Sequence, residues 1–313
     1  MGAREACDPP AADVSVVIPV YNHDRFVGAA IESVLSQTVR PREILCIDDG
    51  STDCSAWVLE AMARQHSSVR FWSRPNQGAH RTINEGIHEA HGRYLAILNS
   101  DDFYHPERLL RCLAVLESDP DVAVVATGIS FIDDHGNATR YRWYEDVCAF
   151  YEQIGDLGLA LVNGNLLMTT SNIVARRAVF DEVGGFDDLR YAHDLDFFLR
   201  LLVHRKRLVL LRRPLLTYRV HAGNTVSQAP LPVRFETAVV AAFFARRLAS
   251  ANAASERAPQ YLSRLLAVTD RQQLTRLVAL TLLQAQHEEA SALSPGECLA
   301  DPAFRSALRE IAK

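Results

Sequence analysis

Ser100-Asp101-Asp102 follows directly on the apolar run Tyr94 to Leu98, so two adjacent carboxylates stand where a strand would end. In an open α/β sheet, ligands bind outside the carboxyl ends of the strands. Two unpaired carboxylates repel there unless a cation lies between them and a ligand. Mg²⁺ or Mn²⁺ takes one or two carboxylates together with diphosphate oxygens. The pair therefore points to a metal holding a nucleotide diphosphate. The plainer alternative is that Ser100 or Asp101 caps a helix beginning near Pro106, although capping needs one such residue rather than two.

Other acids are placed in the same way. Asp48-Asp49-Gly50-Ser51-Thr52-Asp53 ends a second apolar run. Asp49, followed by glycine at a tight turn, can turn its carboxylate to a base edge and accept the N3 hydrogen of uracil or thymine. Asp48 is expected to support the turn and Asp53 to cap the next helix. Tyr21, in Ile18-Pro19-Val20-Tyr21-Asn22, offers a ring on which a pyrimidine can stack, worth about 1–3 kcal/mol by analogy with other base platforms. Asn76-Gln77-Gly78-Ala79-His80-Arg81 precedes a helix, so its N–H groups can meet a phosphate or sugar oxygen. In His193-Asp194-Leu195-Asp196, Asp194 stands at a helix start, where the local dipole keeps a carboxylate ionised and ready to take a proton. Spacing alone favours an N-cap there over a base. Asp196 points away from Asp194 and reads as a structural acid.

These residues need a scaffold, and the first half of the chain supplies its pattern. Val14 to Ile18, Glu43 to Ile47, Val69 to Trp72 and Tyr94 to Leu98 are near-continuously apolar, as strands buried on both faces are. Phe26, Ala30, Val34 and Thr38 recur at helical spacing after an Asp24 cap. Val58, Leu59 and Met62 mark a second helix, Asn84 to Ala90 closes a third and Pro106 to Leu116 forms a fourth. Such alternation predicts a mostly parallel, doubly wound sheet. The second half is less regular, with strands at Val122 to Ala126, Ile173 to Ala175 and Leu208 to Leu211 and an amphipathic helix at Asp194 to His204. Ser227 to Val233 reads as a linker, followed by helices at Phe235 to Ala249, Tyr261 to Gln286 and Pro302 to Ala312. The expected division is a loose tail over 1–12, one domain over 13–227 and a helical appendage over 228–313.

With 313 residues, 48% apolar content and a net charge of −5, the chain has the composition of an ordinary globular protein. Its arginines are dispersed and offset by 38 acids, which gives no reason to expect nucleic acid. The six cysteines form no Cys-x-x-Cys pair, so free, structural thiols are expected. With no secretory pattern at the N-terminus and no run long enough to span a bilayer, the expected setting is cytoplasmic. The apolar stretch Val239 to Phe244 beside Arg246-Arg247 reads as a packing or homodimer helix, with peripheral membrane contact as the alternative.

Taken in order, the Pro19-Val20-Tyr21-Asn22, Asp48-Asp49-Gly50-Ser51, Asn76-Gln77-Gly78, Ser100-Asp101-Asp102, Gly184-Gly185-Phe186-Asp187 and His193-Asp194 segments resemble the family 2 glycosyltransferases, inverting enzymes of the GT-A fold. The resemblance runs from Val14 to Ser227. It implies transfer of a sugar from a UDP- or dTDP-sugar to a hydroxyl on a glycan or lipid-linked acceptor, with Mn²⁺ or Mg²⁺ as cofactor. Implied donor contacts are Pro19, Tyr21, Asp49, Asn76, Arg81 and Asp101. The implied metal ligands are Asp102 and, from Tyr218-Arg219-Val220-His221, His221. Asp194 matches the catalytic base, with His193 where relatives carry glutamate. The arginine that relatives place just before the asparagine matching Asn84 is displaced here to Arg81. Thr170-Ser171-Asn172 is a further candidate for the sugar or acceptor pocket. Two rival readings are a nucleotidyltransferase, for which the glycine-rich basic loop is missing, and an inactive nucleotide-sugar scaffold.

Overall fold

The structure is a computed structural model that describes residues 10–224, 229–251, 258–284 and 293–312. The chain forms two compact units that do not follow linear order. One comprises Met1–Ala138, Thr169–Glu182 and Arg207–Arg219, the other Thr139–Met168, Val183–Lys206 and Val220–Lys313.

The first unit holds an eight-stranded sheet in the order β3-β2-β1-β4-β7-β6-β8-β5. Its parallel half is β1 (Ala11–Val20), β2 (Arg40–Asp48), β3 (Val69–Ser73) and β4 (Tyr94–Ile97). In β1 every residue from Val14 to Val20 is buried, because helices cover both faces of a parallel sheet and leave no side for polar alternation. The intervening helices are α1 (Val27–Leu35), α2 (Ser55–Gln65), α3 (Ala79–Glu89) and α4 (Arg108–Ser118). On α1 the buried residues Val27, Ala30, Ile31 and Val34 form one stripe at helical spacing.

Beyond β4 the sheet becomes mixed. β7 (Val174–Arg176) lies antiparallel between β4 and β6 (Val122–Ile132), β8 (Arg207–Arg219) runs parallel to β6, and β5 (Phe103–Tyr104) closes the edge antiparallel to β8. Strand β8 is far longer than the expected Leu208 to Leu211. Arg212-Arg213-Pro214 reads as a breaker, but a register shift around Gly128 absorbs Pro214 and pairing resumes at Leu216. A short helix, α7 (Ala178–Val183), follows β7.

The second unit is helical: α5 (Arg142–Ile154), α6 (Leu157–Asn163), α8 (His193–Val203), α9 (Pro230–Ala251), α10 (Ala258–Arg271), α11 (Thr275–Gln284), α12 (Pro295–Ala300) and α13 (Pro302–Ile311). Val239 to Phe244 on α9 are all buried, and α9 packs on α8, α10, α11 and α12 of the same unit. That apolar stretch is core, not a membrane-facing surface. No described helix is long and apolar enough to cross a membrane.

Several local expectations change. The helix expected over Tyr261 to Gln286 is two, broken at Gln272-Gln273-Leu274, where Gln273 takes φ +55°. Of the expected linker, 227–228 lie outside the described residues and Pro230 opens α9, since proline is tolerated in a helix's first turn, where its missing N–H has no partner to lose. Ala11 and Ala12, read as tail, pair with Arg40 and Pro41. Asp24 does not cap α1, whose N-cap is Phe26. Neither Ser100 nor Asp101 caps α4, whose N-cap is Glu107. Cys46 and Cys112 are buried thiols pushed up by desolvation, as structural cysteines should be.

Candidate active site

Strand β1 is flanked by β2 on one side and β4 on the other, so the winding of the sheet reverses there and a crevice opens at their carboxyl ends. The loops leaving β1, β2, β3 and β4 meet at this edge and are joined by hydrogen bonds. Asn22 takes a left-handed φ of +54°, which its short amide tolerates. Its N–H donates to Ser51 Oγ (2.9 Å) and its Oδ1 accepts from Thr52 N (2.8 Å). His23 N donates to Ser55 Oγ (2.9 Å), and His23 Nδ1 shares a 2.8 Å hydrogen bond with Ser100 Oγ across the switch point. Tyr21, beside them, is 47% exposed. Pro19 is buried within β1 opposite Ile47.

Asp49 is almost fully buried and strongly held. Its two oxygens accept from Gln77 N and Gly78 N, each at 2.9 Å, and Arg74 Nη1 lies 2.8 Å from Oδ1. Gly50 makes this approach feasible: it takes φ +75°, and a Cβ would sit 2.8 Å from Asn76 N. Asp48 Oδ1 accepts from Ser51 N (3.1 Å), supporting the turn, and Asp53 Oδ1 accepts from Ser55 N (2.9 Å) at the start of α2. Asn76 and Arg81 are both exposed, Arg81 on α3. Arg74 was not singled out by the sequence. A basic residue one position past a strand end was its only signal, and its partners Asp49, Thr82 and Glu85 come together through the fold.

The two acids after β4 occupy different surroundings. Asp102 is 1% exposed, with Oδ2 accepting from Ser171 Oγ (2.6 Å) and Oδ1 from Arg219 N (3.1 Å). Burial, reinforced by the charge of Asp101, raises its pKa well above the usual carboxylate value, against the pull of Ser171 and Arg219. Asp101 is half-buried, and one of its oxygens and a His23 ring nitrogen lie within 4.8 Å of each other. A carboxylate and an imidazole at that separation suit Mn²⁺. The Thr170–Asn172 turn acts from below: Ser171 Oγ holds Asp102, and Thr170 Oγ1 donates to Asn99 Oδ1 (3.0 Å). Fully buried Arg108 anchors that turn through Ser171 O (3.2 Å) and Asn172 Oδ1 (3.1 Å).

In the second unit, Asp194 is the second residue of α8, not its cap, which is Ala192. It is 7% exposed; Oδ1 accepts from Leu195 N and Oδ2 from Asn165 Nδ2, both at 2.7 Å. Burial is the main cause of a pKa pushed up to about 7, partly offset by these donors and reinforced by Glu236. A carboxylate with that value gives and takes a proton near neutrality. Asp196 is an ion-pair acid, 2.7 Å from Arg200 Nε and 3.4 Å from Arg247 Nη1, as expected for a structural group. Asp187 accepts from Ser294 Oγ (2.9 Å) and Gly296 N (2.8 Å), tying α12 down. Just after β8, His221 N donates to Asn224 Oδ1 (2.6 Å) and His221 Nδ1 accepts from Gly223 N (3.2 Å). Asn165 and Glu236 carried no sequence signal, because their partners lie 29 and more than 40 residues away in the chain.

The chain is similar in sequence and fold to known glycosyltransferases. The model for glycosyl transferase family 2 matches residues 15–184. The chain is 29% identical over 222 residues to the glycosyltransferase GlyG of Streptococcus pneumoniae, covering 67% of this chain and 72% of that one. It is 36% identical over 132 residues to the chondroitin synthase of Escherichia coli, a match covering 42% of this chain and 19% of that protein. Among solved structures, S. aureus TarS 1–349 in complex with UDP-GlcNAc superposes with a TM-score of 0.66 at 17% identity, over 90% of this chain and 83% of that one. The mannosyltransferase PcManGT from Pyrobaculum calidifontis, in complex with GDP-Man and Mn²⁺, gives 0.57 at 16% identity over 98% and 87%. The acids at the carboxyl edge, the sheet that carries them and the matched span agree: the chain belongs to glycosyl transferase family 2 and has the GT-A fold.

Proposed function

We propose that this glycosyltransferase moves a sugar from a UDP- or dTDP-sugar, with inversion, to a hydroxyl on a glycan or lipid-linked acceptor and depends on Mn²⁺ or Mg²⁺. The observation that carries the reading is the hydrogen-bonded rim at the β1–β4 switch point, which gathers Tyr21, Asp49 and Asp101 on one edge. Asp49 has three acceptor positions filled, and a carboxylate offers about four, leaving one for the N3 hydrogen of a pyrimidine. Tyr21 supplies the stacking face, and Asn76 and Arg81 stand exposed at the N-terminal end of α3 for phosphate or sugar oxygens.

We place the cation on Asp101 rather than on Asp102, the ligand that the sequence pattern implies. Both oxygens of Asp102 already accept hydrogen bonds from Ser171 and Arg219, whereas Asp101 and His23 present ligand atoms to each other; His221 is the further candidate from the sequence. When bound, the cation neutralises charge on the departing diphosphate. Asp194 takes the proton of the acceptor hydroxyl, and its raised pKa suits that task. TarS and PcManGT are described with UDP-GlcNAc and GDP-Man respectively, so the shared fold leaves the base open and the pyrimidine preference rests on Asp49 and Tyr21. A homodimer through the C-terminal helices would have to use exposed residues such as Leu266 and Leu283, because the apolar stretch of α9 is buried.

Thermal-shift measurements with UDP, dTDP and GDP, each with and without Mn²⁺, test the proposal without an acceptor, since a ligand of the folded state stabilises it by RT ln(1 + [L]/Kd). Stabilisation by UDP or dTDP that requires Mn²⁺ is expected. Equal shifts with GDP, or shifts indifferent to metal, would overturn it. Binding without turnover or donor hydrolysis across an acceptor panel would favour the inactive scaffold.

A further inference from the structure

Asn165 lies one residue beyond Gly164, the C-cap of α6, and its side chain bridges two fixed points. Met168 N donates to Asn165 Oδ1 (3.1 Å), and Asn165 Nδ2 donates to Asp194 Oδ2 (2.7 Å). The first bond settles the amide's orientation. A backbone N–H can only meet the oxygen, so the NH₂ must be the end that faces the carboxylate. Met168 holds the turn in a left-handed conformation, φ +68°, uncommon for a side chain of its kind. A Cβ at Gly164 would lie 2.6 Å from Val147 Cγ2, so a larger residue there would push that side chain aside.

We propose that Asn165 is the positioning residue for Asp194: its amide fixes the direction of the carboxylate and favours the ionised form that accepts the acceptor hydroxyl's proton. The proposal rests on Asp194 being the base. With Leu195 N on one oxygen and Asn165 Nδ2 on the other, the carboxylate cannot rotate without losing a donor to a charged acceptor, the stronger class of hydrogen bond. The charged surroundings oppose ionisation. Glu236 on α9 adds like charge and is itself held by Arg190 N, Tyr191 N and Ala192 N at 3.1, 2.6 and 2.8 Å. On α8, Asp196 is balanced by Arg200 and Arg247, and His193 packs edge-on against Phe186. From α6 and the turn after it, the group that reaches Asp194 is the neutral amide of Asn165. It is therefore the donor side chain that offsets burial at this carboxylate.

The test is a ¹³C-carboxylate titration of Asp194 in the full chain, assigned by the signal lost in Asp194→Asn, with melting curves alongside. Asn165→Leu removes both bonds of the amide. Asn165→Ser keeps an oxygen able to accept from Met168 N but is too short to reach Asp194 as well. Both should raise the Asp194 midpoint by about one pH unit, a tenfold change in proton affinity. An unchanged midpoint in folded Asn165→Ser would overturn the proposal, and that variant decides the matter if Asn165→Leu does not fold. The titration needs no turnover. Full activity in Asp194→Asn would remove the base assignment while the coupling between the two side chains is read separately.

Discussion

Ser171 Oγ donates to Asp102 Oδ2 at 2.6 Å, joining two fully buried side chains 69 residues apart. The bond holds the second acid of the Asp101-Asp102 pair in the interior and leaves the two neighbours in different surroundings. Asp101→Ala should abolish the Mn²⁺-dependent part of the UDP thermal shift while changing the melting temperature without ligand little. Asp102→Ala should instead lower that melting temperature, because Ser171 Oγ and Arg219 N each lose a buried partner at about 1–3 kcal/mol apiece. The reverse pattern would return the metal to Asp102.

Asp49→Asn places an amide where two backbone N–H groups and a guanidinium all donate. One half of the amide then opposes a donor, so the Arg74–Gly78 loop should loosen. UDP affinity is expected to fall tenfold or more, and the preference for UDP over GDP to shrink. Calorimetric titration of both nucleotides against the wild type and the variant measures this.

Gly50→Ala forces a Cβ to within 2.8 Å of Asn76 N at a backbone angle of φ +75°. The strain disfavours the folded state by about 1 kcal/mol or more. Chemical denaturation should show the loss, and UDP binding should weaken with it because the same loop carries the Asp49 donors.

Asp194→Asn preserves shape but cannot take a proton. Turnover should drop 10²-fold or more, the usual scale of general-base catalysis, with donor Kd near wild type. In the wild type, turnover should rise with pH through about 7 as Asp194 ionises. Stability runs the other way. A carboxyl whose pKa is raised on folding contributes stability that is fully present below the ordinary value of 3.8 and is lost as pH rises through about 7. Asp194→Asn should flatten that decline in a series of denaturation curves between pH 4 and 8.

The sequence by itself determined the parallel half of the sheet and the loops that carry the chemistry. Val14 to Ile18, Glu43 to Ile47 and Tyr94 to Leu98 are near-continuously apolar, the pattern of strands covered on both faces, whereas Val69 to Trp72 is the edge strand β3 and leaves Arg70 exposed. The acids and glycines that follow them fall at the sheet's carboxyl edge by connectivity alone. Tertiary structure decided the surroundings of each acid. Asp101 and Asp102 are identical in type and adjacent in sequence, and what distinguishes them is Ser171 and Arg219, which arrive from remote segments. Asp194 fits a cap by spacing, yet α8 begins two residues earlier than that reading requires, with Ala192 as its cap, and burial then gives the carboxyl its raised pKa. Arg74, Asn165 and Glu236 carry no local periodicity, because a hydrogen bond across many residues of chain leaves no trace in the spacing of either partner.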